Sequence, residues 1–186
     1  VISREALLKP LQTVCGVVER RQTLPVLSNV LMALKDSELS LTGTDLEVEL
    51  VARVTVDEAI QPGEITVPAR KLLDICKSLA DQASIELTML ADGRLTLKSG
   101  RSRFTLATLP AAEFPNVEEE SDTFSLSLPQ SKLRELLENT SFAMAQQDVR
   151  YYLNGMLFEV ASESLRVVAT DGHRLAMETL PIENGA

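Results

Sequence analysis

Apolar side chains recur every three or four positions in three parts of the chain, which is the spacing of one face of a helix. We expect amphipathic helices at 3–18, 68–79 and 129–141. Ser3 is placed to cap the first helix, and Pro10 within it predicts a kink because proline lacks the N–H of a helical hydrogen bond. Each predicted helix therefore has one face for a core and one for solvent.

Alternation of apolar and polar residues predicts β-strands around these helices. The expected strands are 29–34, 39–44, 46–54, 64–67, 123–128, 155–160, 165–170 and 175–180, with three shorter ones at 85–89, 95–97 and 104–106. In the strand at 46–54, Leu46, Val48 and Leu50 are expected on one face. Asp92-Gly93 is typical of a two-residue hairpin turn.

One unit, a strand followed by a helix and three strands, occurs three times, and its first copy lacks most of the leading strand. With a shift of 126 residues, segment 3–54 aligns with 129–180 without a gap. Seven pairs are identical in this register: Leu7/Leu133, Leu11/Leu137, Leu27/Leu153, Leu31/Leu157, Leu39/Leu165, Thr44/Thr170 and Asp45/Asp171. His173, the one histidine, aligns with Glu47, so the shared Thr-Asp favours a structural turn over a catalytic Asp-His pair.

The composition is that of an ordinary globular protein, since 45% of the residues are hydrophobic and 24% are charged. No apolar run approaches the roughly 18 residues of a membrane helix, and no secretory signal is expected. Cys15 and Cys76 occupy apolar positions of predicted helices and are expected to be buried thiols, although a disulfide is left open.

Charge is divided unevenly along the chain, whose formal net charge is −9. The three helical stretches 3–21, 68–79 and 129–147 together carry +4, so the remainder carries −13. A protein that surrounds a polyanion would need this division, whereas solvated helix faces are the simpler alternative. Pro110, Pro115 and an acidic run predict a break in the pattern, with a first domain at 1–117, a linker at 118–123 and a second domain at 124–186.

Five segments resemble the bacterial DNA sliding clamps, the beta subunits of DNA polymerase III. They are 39–47, 66–71, 99–104, 147–155 with the sequence QDVRYYLNG, and 169–176 with the sequence ATDGHRLA. The resemblance implies an α+β DNA-clamp fold, with helices on the inner face of a ring and sheets outside. Such rings contain two chains of three domains each, so this chain is expected to be the first domain and the first half of the second.

The resemblance also implies three sets of functional residues. The residues expected to face duplex DNA are Arg21, Gln147, Tyr151 and Tyr152. The residues expected to line an apolar pocket for short peptides are Leu153, Thr170, Gly172, His173, Arg174 and Leu175. The residues expected at the interface of the ring are Lys71, Arg101, Arg103, Phe104 and Leu106. The third domain would supply the other wall of the pocket and acidic partners for the interface.

The function implied is that of a DNA polymerase processivity factor, without catalytic activity, cofactor or metal. Its expected partners are duplex DNA, polymerase catalytic subunits, the clamp loader, repair proteins and a second copy of the chain. The expected location is the bacterial cytoplasm, at the nucleoid during replication, with no membrane contact. Two alternatives are a hydrolase that uses Asp171 and His173, and an acidic protein-interaction domain that ignores DNA.

Overall fold

The computed structural model describes residues 1–18, 24–57, 61–115 and 126–182. The chain divides into two compact units, Val1–Glu119 and Glu120–Ala186. The predicted linker at 118–123 and both predicted domain boundaries lie in 116–125, outside the described residues. No helix in the described ranges is long and apolar enough to cross a bilayer.

The first unit contains two four-stranded antiparallel sheets and two helices. Its elements are β1 (Ile2–Ser3), α1 (Arg4–Val14), β2 (Asn29–Lys35), β3 (Glu38–Thr44), β4 (Glu49–Thr55), β5 (Gly63–Pro68), α2 (Ala69–Ser78), β6 (Ser84–Met89), β7 (Leu95–Ser99) and β8 (Ser102–Leu106). Short 3-10 helices occur at Pro25–Ser28 and Ala111–Glu113. The strand orders are β4-β3-β2-β5 and β1-β6-β7-β8. Helix α1 packs on β3 and β4, and α2 packs on β2 and β5.

The second unit contains one helix and one sheet. Its elements are α3 (Gln130–Thr140), β9 (Leu157–Val160), β10 (Ser164–Thr170) and β11 (Leu175–Pro181), with 3-10 helices at Ser141–Ala143 and Tyr151–Asn154. The strands pair antiparallel in the order β11-β10-β9, and α3 packs on β10 and β11. The predicted α+β class is confirmed.

The predicted repeat is confirmed at the level of single elements. A shift of 126 residues carries α1 onto α3, β3 onto β10 and β4 onto β11. In each pair, the two elements begin and end at equivalent positions. The 3-10 helix Pro25–Ser28 likewise falls on Tyr151–Asn154. The first copy can therefore be used residue by residue to interpret the second.

The core of the first unit is built from both helices and both sheets. Its fully buried side chains include Leu7, Leu11, Leu41, Leu72, Ile85 and Leu97. Gly43 lets α1 approach β3, because a Cβ at this position would lie 2.7 Å from Cγ1 of Val14. The second unit has a smaller core around Leu136, Leu165, Val167 and Ile182.

Both cysteines are buried and free, as predicted for core thiols. Burial raises the pKa of the Cys76 thiol to about 11, and it also raises the pKa of Cys15. Because the thiolate is the reactive form, raised pKa values keep both side chains unreactive near neutral pH.

The first predicted helix is shorter than its apolar pattern. Ser3 caps it as expected, since its hydroxyl accepts from the Ala6 N–H at 3.2 Å, and Pro10 lies within it. The helix ends at Val14, because the Gly16 N–H donates to the Thr13 carbonyl at 3.0 Å in a tighter turn. The apolar spacing continues to Val18 although the helix does not.

Two strand predictions and one turn prediction are wrong in detail. Strand β4 begins at Glu49 rather than at 46, and Leu46 and Val48 are 57% and 48% exposed. Residues 126–128 of the predicted strand 123–128 form no strand, and its remainder lies outside the described residues. The Asp92-Gly93 hairpin has a three-residue loop, since the Leu90 N–H donates to the Arg94 carbonyl at 2.8 Å and Gly93 has a φ of +79°.

Candidate functional site

The segment between β10 and β11 is a side-chain-supported turn. The Thr170 hydroxyl donates to the Arg174 carbonyl at 2.7 Å and accepts from the Gly172 N–H at 3.1 Å. Oδ1 of Asp171 accepts from the N–H groups of His173 and Arg174 at 2.9 and 3.0 Å, and Oδ2 accepts from Nε of Arg174 at 3.0 Å. The two backbone hydrogen bonds lower the pKa of Asp171, so its carboxylate serves as a fixed acceptor.

The first copy builds the same turn between β3 and β4. The Thr44 hydroxyl donates to the Val48 carbonyl at 2.9 Å and accepts from the Leu46 N–H at 3.0 Å. Oδ1 of Asp45 accepts from the N–H groups of Glu47 and Val48 at 2.9 and 2.7 Å. These contacts confirm the structural interpretation of the shared Thr-Asp pair. A catalytic role for Asp171 would not explain its counterpart in the first copy.

The two turns differ at their left-handed position. Gly172 has a φ of +87°, whereas Leu46 holds the equivalent position with a φ of +79°. Glycine adopts this conformation without steric cost, while a side chain does so only under strain. Within the second unit, the space above Gly172 is occupied by the guanidinium of Arg150.

Arg150 belongs to a cross-linked loop that precedes β9. The Asp148 N–H donates to Oδ1 of Asn154 at 2.9 Å, and Nδ2 of Asn154 donates to the Asp148 carbonyl at 3.0 Å. The Asp148 carboxylate accepts from the Arg150 N–H, Nε and Nη2 at 2.8, 3.0 and 2.9 Å. These bonds lower the pKa of Asp148 to about 2. Arg150 was absent from the predicted sites; the available signal was an Asp two residues before it in the loop.

An apolar surface lies beside the turn between β10 and β11. It is on the face of the sheet of the second unit that points away from α3. Val168 pairs with Leu157 on one side and with Met177 on the other, so the three side chains form a row across the sheet. Leu175 pairs with Thr170 on the same face. Leu157, Met177 and Leu175 are 61%, 58% and 63% exposed, although each is a large apolar side chain.

Five of the six predicted pocket residues lie together in or beside the turn. Thr170, Gly172, His173, Arg174 and Leu175 are consecutive apart from Asp171, and Leu153 lies partly buried in the 3-10 helix before β9. The Arg174 guanidinium also stacks over Phe142, 5.8 Å from the ring centroid. Around this turn, the described part of the chain offers no group of three His, Cys, Asp or Glu side chains suited to a metal.

The predicted DNA-facing residues form an exposed aromatic group on the cross-linked loop. Tyr151 and Tyr152 are 82% and 67% exposed, so they are not core aromatics, and their rings meet edge to face at 5.9 Å. Gln147 is exposed and has a φ of +57°. Arg21 lies outside the described residues, but it aligns with Gln147 in the repeat register.

The predicted interface residues divide into exposed cations and core side chains. Lys71 is exposed on α2, and Arg101 and Arg103 are exposed at the start of β8, an edge strand. Phe104 is partly buried against the core, and Leu106 is 6% exposed within it. Leu106 pairs with the buried Leu95, so within this unit its side chain belongs to the core, and its place at the interface stays a prediction.

The positive charge predicted for the helices is distributed unevenly. On α3, Lys132 pairs with Glu135 and Arg134 pairs with Glu138, each at 2.8 Å, so this helix neutralises itself. On the other helices, Lys9, Lys71 and Lys77 are exposed and form no ion pair with any described residue. The free positive charge among the described helices thus lies in the first unit.

Comparisons with known proteins agree on one family. Residues 1–118 match the model of the DNA polymerase III beta subunit N-terminal domain, and residues 127–186 match that of its central domain. The beta sliding clamp of Pseudomonas putida is 66% identical over 184 residues, which cover 98% of this chain and 50% of that protein.

Solved structures give the same result. The DNA polymerase III subunit beta from Pseudomonas aeruginosa has a TM-score of 0.94 and 64% identity, covering all of this chain and 50% of that one. A sliding clamp from the same organism, bound to griselimycin, has a TM-score of 0.90 and 65% identity, covering 98% of this chain and 49% of that one. The chain spans about half the length of the curated relatives it matches.

Proposed function

The chain belongs to the family of DNA polymerase III beta subunits, and on this basis we propose that it is part of a ring that encircles duplex DNA and keeps DNA polymerase on its template. It corresponds to the first domain and the first half of the second. Ring closure around DNA, pairing with a second copy and recruitment of partners are proposed for the longer protein of which this chain is about half.

The observation that best supports a peptide pocket is the exposed apolar surface beside the turn of the second copy, and the first copy shows how such a surface packs. In the first copy, Val26, Leu27 and Leu31 pack against Leu109 and Phe114 from later in the chain, and Phe114 is 4% exposed. The first unit therefore covers this apolar surface with its own segment.

The equivalent surface of the second copy is also apolar and includes exposed side chains. The positions of Val26, Leu27 and Leu31 are taken by Tyr152, Leu153 and Leu157, of which the first and last are 67% and 61% exposed. Burial of a Leu or Phe side chain contributes about 1.5–3 kcal/mol, so an apolar or aromatic residue from another protein gains by binding here.

The proposed occupants are short linear peptides of polymerase catalytic subunits, the clamp loader and repair proteins. Leu153 and Leu175 provide apolar walls, and the turn formed by Thr170, Gly172, His173 and Arg174 provides the rim. The third domain of the longer protein is proposed to supply the opposite wall. Griselimycin, which is bound to the Pseudomonas aeruginosa relative, is proposed to bind the same pocket in this protein.

DNA contact is proposed for Arg21, Gln147, Tyr151 and Tyr152, supported by the exposure of both rings and by the repeat-related positions of Arg21 and Gln147. Such contacts are directed to the backbone and independent of sequence. Lys9, Lys71 and Lys77 add positive charge that attracts the phosphates. The overall negative charge is compatible with this role, because the ring needs only its inner face to be attractive.

The interface of the ring is proposed at the edge strand β8, where Arg103 is exposed on the strand and Arg101 is exposed in the turn just before it. Neither arginine forms a described ion pair. Lys71 is proposed to pair, like the two arginines, with acidic residues of a third domain. Phe104 adds a partly buried aromatic ring. Unpaired backbone groups at an edge strand also allow the sheet to continue into a partner. No catalytic step is proposed, and the protein is placed in the bacterial cytoplasm, at the nucleoid during replication.

The test uses the full-length protein loaded on nicked circular DNA. A ring that encloses the duplex is expected to stay bound at high salt, which weakens ordinary phosphate contacts steeply. Cutting the circle should release it, because a ring leaves over a free end. The control is the same DNA cut before loading. Release from uncut circles by salt alone would show that the protein does not enclose DNA.

A further inference from the structure

In the second unit, the guanidinium of Arg150, in the loop proposed to face DNA, lies over Gly172 in the turn of the proposed peptide pocket. We propose that Arg150 is a positioning residue, which holds the loop 147–152 against the turn 170–174 and so keeps the pocket in its binding geometry. The inference rests on the proposed function of both segments, but its physical basis lies within the second unit alone.

The first support is the way in which Arg150 is held. Its Nε and Nη2 donate to the two carboxylate oxygens of Asp148 at 3.0 and 2.9 Å, and its backbone N–H donates to the same carboxylate at 2.8 Å. Asp148 is in turn fixed by two hydrogen bonds between its backbone and the side-chain amide of Asn154. A two-point pair between planar groups fixes orientation as well as distance. The guanidinium therefore has a defined place.

The second support is the space that Gly172 leaves. A Cβ at Gly172 would lie 3.5 Å from Nη1, 3.6 Å from Nη2 and 3.9 Å from Cζ of Arg150, which is van der Waals contact. The guanidinium thus lies over the left-handed residue of the turn, where a side chain longer than a methyl group would meet it. Asp148 engages the Nε–H and one of the two N–H groups of Nη2.

The first copy of the repeat separates this role from turn formation. There, Leu24 stands in the place of Arg150 and Leu46 in the place of Gly172, and both are exposed, at 49% and 57%. The first copy nevertheless forms the same Thr-Asp turn. Arg150 is therefore not needed to form the turn, and what it adds is the connection to the loop.

The consequence is that movement of the loop is transmitted to the pocket. The same loop carries Tyr151 and Tyr152, the residues proposed to meet DNA, directly after Arg150. The 3-10 helix that follows places Leu153, a proposed pocket wall, one residue further. A loop released from the turn would disorder both sites together.

The experiment uses the full-length protein with griselimycin as the probe. Arg150→Met removes the ion pair but keeps an unbranched apolar stem, and Arg150→Lys keeps the charge but not the two-point pair. Both variants are expected to bind griselimycin about five- to tenfold more weakly. Arg166→Met is the matched control, because Arg166 is a half-exposed arginine of the same sheet with a single ion pair to Glu159. Its affinity should stay within about twofold of the wild type.

Backbone amide exchange of the ligand-free proteins tests positioning independently of the probe. Both Arg150 variants should exchange faster in 145–154 and 170–174, while the equivalent turn of the first copy, 44–48, stays unchanged. Unchanged exchange in Arg150→Met would overturn the inference even if griselimycin bound more weakly, because Arg150 would then contact the ligand directly. Wild-type affinity in Arg150→Lys would also overturn it. A wild-type protein that fails to bind griselimycin would instead refute the proposed pocket, with the exchange result still deciding the role of Arg150.

Discussion

Gly43 provides a sharp test of how helix α1 is seated on its sheet. A Cβ at this position would lie 2.7 Å from Cγ1 of Val14, about 1 Å inside the ordinary carbon–carbon separation of roughly 3.5–4.0 Å, and 3.2 Å from Cγ2 of Val18. Gly43→Ala therefore forces the helix away from β3 or forces the valines out of their rotamers. Overpacking of this size costs about 1–3 kcal/mol.

The backbone acts in the opposite direction, since alanine is favoured over glycine in a strand by roughly 0.5–1 kcal/mol. Gly43 has no positive φ, so no conformational strain is added. The expected net loss is about 1–2 kcal/mol in the free energy of unfolding, measured by urea denaturation followed by circular dichroism. Gly63→Ala is the matched control, because nothing lies within 4 Å of a Cβ there, and it should be neutral or slightly stabilising.

A double variant separates steric conflict from other causes. Val14→Ala alone should cost about 2 kcal/mol through the cavity it leaves. Combined with Gly43→Ala, the loss should be about 1 kcal/mol or more below the sum of the two single losses, because the new methyl fills that cavity. Equal losses for Gly43→Ala and Gly63→Ala, or simple additivity of the double variant, would refute the packing argument.

Three further predictions concern the proposed sites. His173→Ala and Leu175→Ala should each weaken griselimycin binding by the full-length protein by about 1–2 kcal/mol in calorimetry, and unchanged affinity would contradict the pocket. Tyr151→Ala and Tyr152→Ala should shorten residence on circular DNA without lowering the melting temperature, because both rings are exposed; a lower melting temperature would indicate a core role. The lowered pKa of Asp148, about 2, means that its stabilising contribution is present above the unfolded pKa of roughly 3.9 and is lost as the pH falls through about 2. An NMR titration with a midpoint near 4 would contradict this ion pair.

The regular elements were largely predictable because their apolar periods are local. The start of strand β4 was placed three residues too early for the opposite reason. Residues 46–50 alternate apolar and acidic side chains as a strand does, yet Thr44 and Asp45 capture the backbone of 46–48 by hydrogen bonds before pairing begins. Hydrogen bonds from side chains to the backbone compete with the pairing of strands. The alternation of apolar and polar residues does not reveal them.

The candidate site divides along the same line. The turn of the pocket was predictable from the repeat, since Thr44-Asp45 and Thr170-Asp171 share a register. The approach of Arg150 to Gly172 could not be predicted from the sequence. The two residues are 22 positions apart, and the approach depends on the absence of a side chain at Gly172. The burial of Leu106 was not predictable from the family pattern, because it depends on which face of β8 a residue occupies.

The segment that carries Leu109 and Phe114 bears on how the first domain can be produced in isolation. Excised at the end of its last strand, at Leu106, the domain would keep α1, α2 and the strands β1 to β8 but would uncover Val26, Leu27 and Leu31. Contiguous apolar surface of this kind drives self-association. A recombinant first domain should therefore extend through Phe114 to remain monomeric, so its minimal length is determined by this covering segment rather than by the last β-strand.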